Sequence, residues 1–161
     1  MKRGLLLDFG GVLTTNVFDS FRAFCEREGL DPETVKRLFR EDPRALGELR
    51  RLERGEIGEE EFAKRFGPLV GVEETDGLVD RLFAEMKPDE AMLAAVRRAR
   101  EQGIRTGLIS NSWGHDRYDP AILGLFDAVV ISGHEGMRKP DVRMYELGWQ
   151  ESLARLAALV E

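Results

Sequence analysis

The chain has 161 residues, with 24 Lys and Arg against 30 Asp and Glu, a formal net charge of −6, and 34% charged and 42% hydrophobic residues. That balance is globular, neither disordered nor fibrous, and its mild acidity argues against a nucleic-acid footprint. One cysteine, Cys25, excludes an internal disulfide framework, and with two histidines it cannot furnish a structural zinc site. No apolar run approaches the ~20 residues needed to span a bilayer. Asp8 interrupts the basic-then-apolar start before a signal h-region forms. The expected location is the cytoplasm, with neither nucleic acid nor membrane as partner.

Leu5-Leu6-Leu7, followed by Asp8 and Gly10-Gly11, reads as a buried strand of a parallel sheet. From Thr15 to Lys87 no convincing strand follows. Phe18, Phe21, Phe24 and Cys25 fall at helical spacing, and Asp31-Pro32 opens a second helix carrying Val35, Leu38 and Phe39. Leu46, Leu49 and Leu52 continue the pattern, and Glu59 to Phe66 and Leu78 to Met86 form two more helices. Asp89 to Gln102, with Pro88 before it, Met92, Leu93 and Val96 as its stripe and Gly103 after it, predicts an amphipathic helix. Thr106 to Ile109 and Ala128 to Ile131 are two further strands, and Pro140 to Leu147 a helix. Trp149, Leu153, Leu156 and Val160 then lie at helical spacing in a tail. Helix and strand in alternation define an α/β fold: an open parallel Rossmann-like sheet built from 1–14 and 88–161, with an all-helical cap inserted at 15–87.

In such sheets ligands sit beyond the carboxyl ends of the strands. Asp8, Ser110 and Lys139 follow the three strands in turn. A carboxylate that can attack phosphorus, a hydroxyl that can hold a non-bridging oxygen and an ammonium that offsets charge make a phosphate-handling set. Singly, each has a plain structural explanation. Asp8 suits a turn, Ser110-Asn111-Ser112 a helix cap, and Lys139 before Pro140 an exposed loop. Their joint order favours the chemical reading.

LLLDFGGVLTT, RTGLISNS and GMRKPD resemble the first three motifs of the haloacid dehalogenase-like hydrolase superfamily, in the subgroup with a helical cap after the first motif. GEI at 55–57 and EEF at 60–62 resemble phrases of its caps. The resemblance implies Asp8 as nucleophile, Lys139 as the charge-balancing lysine, and Ser110 and Asn111 at the phosphate. Phe9 and Gly10 would lend backbone groups, and magnesium would bind Asp8 and the Gly10 carbonyl. Gly10 stands where the phosphatases of the family usually carry a second Asp as acid and base. Asp116, Asp119 or His115 could substitute from a loop, although turn or surface roles suit them better.

No strand ending in an acidic pair, the family's fourth motif, follows Lys139; Glu151 and Glu161 are the tail's carboxylates. The expectation is a shortened core or a truncated product, with one flank of the first strand exposed. That edge or the tail helix could pair two chains, against the simpler reading that the tail packs on its own core.

The favoured function is a magnesium-dependent phosphohydrolase of a small phosphorylated metabolite working through an aspartyl-phosphate. One alternative is a 2-haloacid dehalogenase, with Arg22 or Arg44 for the substrate carboxylate. The other is a degenerate, non-catalytic binding protein. Trp113 and Trp149 read as packing residues, His134 as a surface loop histidine, Cys25 as core, and Arg50-Arg51 and Arg97-Arg98 as solvated helix faces.

Overall fold

The computed structural model describes residues 4–157. Three strands, β1 (Gly4–Leu7), β2 (Arg105–Ser110) and β3 (Ala128–Ile131), form one parallel sheet in the order β1-β2-β3. Leu7 pairs with Leu108 and Ser110 with Ile131, so β2 runs two residues past the end of β1 and brings Asp8 alongside Ile109 and Ser110. Alternation along the strands divides the core between the two faces. Leu7, Leu108 and Ile131 pack on one face with Leu13, Leu93, Val96 and Phe126; Leu6, Ile109 and Val130 pack on the other with Met144.

Between β1 and β2 the chain forms α1 (Val17–Arg27), α2 (Thr34–Glu41), α3 (Pro43–Glu53), α4 (Glu59–Val70) and α5 (Leu78–Phe83). These five share a core of their own, with Phe24, Val35, Leu52, Phe62, Phe66 and Leu78 fully buried. Side-chain caps place the starts of α1 and α3: Asn16 accepts from Phe18 N–H, and Asp42, just before Pro43, accepts from Arg44 N–H. A two-stranded neck joins this block to the sheet. Thr14 bridges Pro88, Thr15 N–H donates to Lys87 O at 2.8 Å, and Asp89 N–H donates to Leu13 O at 2.9 Å. Asp89 then caps α6 (Glu90–Glu101), accepting from Met92 N–H.

After β2 come a 3₁₀ turn (His115–Arg117) and α7 (Pro120–Leu123); after β3 come α8 (Ser132–Glu135) and α9 (Val142–Ala157). α9 is one continuous helix where the sequence suggested a helix and a separate tail. It lies across the sheet face through Met144, Leu147 and Gly148. Gly148 permits this close approach, since a Cβ there would stand 2.9 Å from Ile109 Cδ1. Trp149 packs over Gly4 and stays 41% exposed. Glu161, Val160 and the side chains of Leu153 and Leu156 lie outside the described residues. Among those described, nothing pairs with the outer edge of β1, as the sequence suggested, and Leu5 is exposed.

The start of β2 is tied to the start of β3 by one carboxylate. Asp127 accepts from Thr106 N–H at 2.9 Å and pairs with Arg105 at 3.0 Å and Arg100 at 3.3 Å. Burial pushes the Asp127 carboxyl up, but the Thr106 amide and the two arginines outweigh it and hold it below its ordinary range. Asp127→Asn should therefore cost about 1–3 kcal/mol in urea unfolding at neutral pH. A carboxyl depressed on folding stabilises fully above its unfolded pKa, and that stability is lost as pH falls through the folded value. The gap between wild type and variant should close in acid, below the ordinary carboxylate range.

Candidate active site

Asp8 leaves β1 into a tight turn, with Leu13 N–H donating to Phe9 O at 2.8 Å. Its Oδ1 accepts from Phe9 N–H at 2.8 Å, and its Oδ2 lies 2.6 Å from Lys139 Nζ. Phe9 N–H is thus engaged on the carboxylate and orients it. The Lys139 side chain is only 15% exposed, against 46% for Asp8, so the pair opens to solvent on the aspartate side. An ammonium so enclosed is not the free loop lysine of the plainer reading.

Asn111, immediately after β2, holds the lysine from the other side. Lys139 N–H donates to Asn111 Oδ1 at 2.8 Å, and Asn111 Nδ2 donates to Lys139 O at 3.3 Å. The side chain of Asn111 therefore clamps the Lys139 main chain instead of capping a helix. Ser110, the last residue of β2, is 4% exposed, and its hydroxyl meets that of Tyr118. Gly10 continues the Asp8 turn, and a Cβ there would meet nothing within 4 Å. Asp8, Phe9, Gly10, Ser110, Asn111 and Lys139 are thus gathered at one carboxyl edge.

The loop residues weighed as substitute acids have other tasks. Asp119 caps α7, accepting from Ala121 N–H, and Asp116 is exposed beside Gly114; the side chain of His115 lies outside the described residues. Arg22 and Arg44 do not form a carboxylate pocket. Arg22 pairs with Glu33 at 3.0 Å with both side chains exposed, and Arg44, 75% exposed, forks onto Asp42. Glu151 is exposed on α9.

Three features were not visible in the sequence. Tyr118 is buried below the turn, its ring edge-on to Phe9 with centroids 4.5 Å apart. Burial raises its phenol pKa, the charge of Asp8 adds to that, and hydrogen bonds to Ser110 and Ser112 oppose it. Glu53, at the end of α3, pairs with Arg138 across 2.6 Å. Burial drives its carboxyl up, offset in part by Arg138, Lys139 and Arg50. Arg117 and the indole N–H of Trp113 both donate to Glu59 of α4, and Arg117 also pairs with Asp80 of α5. Trp113 thus packs against the helical block, as a packing residue should. Only Arg138 had a local signal, in standing next to Lys139.

The carboxyl edge of this Rossmann-like α/β sheet thus carries a carboxylate that is paired with a lysine and faces solvent. No family model matches the chain. Among curated proteins, a sesquiterpene phosphatase from Aspergillus oryzae is 28% identical over 100 residues, covering 58% of this chain and 51% of that protein. Acyl-CoA dehydrogenase family member 10 of Mus musculus is 26% identical over 155 residues, covering 90% of this chain and 14% of that protein. The chain thus spans about half the length, or less, of these curated relatives.

Among solved structures, a HAD family enzyme from Bacteroides thetaiotaomicron in complex with magnesium and inorganic phosphate gives a TM-score of 0.61 at 18% identity, covering 91% of this chain and 76% of that one. A protein described as a predicted HAD-like family hydrolase from Porphyromonas gingivalis gives 0.58 at 25% identity, covering 91% and 74%. An L-2-haloacid dehalogenase from Xanthobacter autotrophicus with chloropropionic acid covalently bound gives 0.59 at 16%, covering 91% and 63%. In fold the chain is thus similar to enzymes of the haloacid dehalogenase-like superfamily.

Asn111→Ala removes both hydrogen bonds that hold the Lys139 main chain. It should cost about 1–2 kcal/mol in unfolding. Hydrogen exchange at the Lys139 amide should accelerate while the β2 amides keep their protection.

Proposed function

We propose that the chain is a phosphohydrolase of haloacid dehalogenase type that acts on a small phosphorylated metabolite, with the five-helix block 15–87 as its cap. The observation that carries this reading is the 2.6 Å contact between Lys139 and Asp8, at the carboxyl edge beside Ser110 and Asn111. Likeness to a phosphatase by sequence supports it. An Asp8 oxygen attacks phosphorus, the ester P–O bond breaks, and the departing alkoxide takes a proton from water. A second water then attacks the phosphorus of the aspartyl-phosphate. Its bond to Asp8 breaks, phosphate leaves, and the proton passes to solvent.

Lys139 and Phe9 N–H hold the carboxylate in one orientation before attack, which lowers the entropic part of the barrier. The lysine also offsets charge gathering on the transferring group, and in this reading the Ser110 hydroxyl holds a non-bridging oxygen while Asn111, clamped on the Lys139 main chain, sits beside the phosphate.

Magnesium is the cofactor that this reading calls for, and solved neighbours hold it. Asp8 and the Gly10 carbonyl would be its protein donors. Among the described residues no group of three or more His, Cys, Asp or Glu could hold a metal ion. Two donors fall short of an octahedral set. The described residues thus do not make a magnesium site by themselves, and no step above runs through one.

An aryl phosphate assay with magnesium should give turnover that falls by about a thousandfold or more in Asp8→Asn, the loss expected when a nucleophile is removed. Halide release from a 2-haloacid, with no phosphate release, would instead favour displacement at carbon by the same Asp8. Neither turnover nor calorimetric binding of magnesium or inorganic phosphate would favour a non-catalytic binding role.

Gly10 supplies no proton to the leaving group, so aryl phosphates should outpace alkyl phosphates strongly. Since the Cβ direction at Gly10 is open, Gly10→Asp should fold normally. It should raise alkyl phosphate turnover by about tenfold or more, within the usual range for a placed acid. The measurement is kcat on a matched pair of aryl and alkyl esters.

A further inference from the structure

We propose that Glu53 of the helical block is a positioning residue: through Arg138 it transmits the seating of the block to Lys139, and so to the nucleophile. This inference rests on the reading of Asp8 and Lys139 given above. The Glu53–Arg138 pair, at 2.6 Å, is largely enclosed, with side chains 11% and 22% exposed. Arg138 is bonded directly to Lys139, whose ammonium meets Asp8. The segment at 138–139 is therefore held twice, by Asn111 of the sheet on the Lys139 main chain and by Glu53 of the block on the Arg138 side chain.

The seat beneath this pair is close-fitting. The Ser132 hydroxyl lies within hydrogen-bond reach of Glu53 O and Ser112 O, and Ser112 N–H donates to Ser132 Oγ at 2.9 Å. Gly55, at φ +69°, passes so near Gly133 that a Cβ would stand 2.3 Å from its carbonyl oxygen. No other residue fits at that contact. The end of α3 thus rests on the start of α8, and the one charged side chain it sends inward goes to the neighbour of the reactive lysine.

Desolvating two charges is costly, and an apolar pair of similar volume would hold the seat at least as well. What an ion pair adds is direction. Arg138 is drawn to one place only when the block is seated, and Lys139 with it. Gly10 lacks a side chain that could help hold the Asp8 carboxylate, so its orientation depends the more on Lys139.

The test uses Glu53→Gln, Arg138→Gln, the double variant and Arg138→Lys in the full chain, with two readouts. The first is the rate at which acetic anhydride acylates Lys139, measured by mass spectrometry against Lys87, which is 72% exposed. This needs no turnover, so it judges the proposal even if the phosphatase reading fails; that reading is judged separately by Asp8→Asn. In the wild type Lys139 should react more slowly than Lys87. Both single Gln variants should raise its rate several-fold, and Arg138→Lys should restore most of the protection. The second readout is aryl phosphate turnover. Each single variant should lower kcat by about tenfold to a hundredfold, the loss expected for a misplaced reacting group, with little change in KM. The double variant should be no worse than either single one, because both break the same link. Unchanged Lys139 acylation in both single variants, with native circular dichroism, overturns the proposal. So does strictly additive loss in the double variant. If Glu53→Gln fails to fold, Arg138→Gln and Arg138→Lys decide the question alone.

Discussion

The contact between Asp8 and Lys139 joins two parts of the chain that lie far apart in sequence, and much of the architecture exists to let them meet. The carboxylate is fixed by its place at the end of β1 and by Phe9 N–H. The ammonium is fixed less directly. Its own segment follows α8 and belongs to no strand, so its main chain is held by Asn111 from the end of β2. Parallel pairing of all three strands aims every strand end toward one edge, and the two-residue overhang of β2 past β1 sets Ser110 and Asn111 beside the pair.

The helical block has its own phenylalanine-rich core and reaches the sheet part through a narrow neck, so its attitude over the edge depends on few contacts. Among the described residues two arginines make ionic contacts of this kind and share a pattern: each stands in the loop after a strand and meets carboxylates from the block. Arg117, after β2, takes Glu59 and Asp80; Arg138, after β3, takes Glu53. The first lies partly in solvent, with Asp80 70% exposed, and such pairs contribute little to stability. The second is enclosed beside Lys139 and stands on backbone contacts that admit no side chain at Gly55. Position, more than stability, separates the two.

Much of this was legible beforehand because the signals were local. Leu5-Leu6-Leu7, Thr106 to Ile109 and Ala128 to Ile131 are short apolar runs closed by turn residues, and all three are strands. Asp89 and Gly103 bracket α6 because a side-chain cap and a glycine stop are encoded in single residues. The ends of helices were less legible. α4 runs on to Val70, past the expected Phe66, because burial against a neighbour extends a helix beyond what its local pattern marks, and α9 continues past Leu147 as far as Ala157. Nothing local reveals that Trp149 covers Gly4.

By itself the sequence determined an α/β chain with strands at three places, a helical insertion after the first, and an Asp, Ser and Lys following those strands in order. Those are properties of short windows, set by side-chain periodicity and turn chemistry. Only the tertiary structure decided what these residues touch: Lys139 on Asp8, Asn111 on the Lys139 main chain, Tyr118 beneath Ser110, and Glu53 on Arg138. It also removed Arg22, Arg44 and Asp119 as candidates by giving each a nearby partner of its own. Such pairings depend on distances set by the packing of whole elements, and charged residues that look alike along the chain differ only in what that packing places beside them.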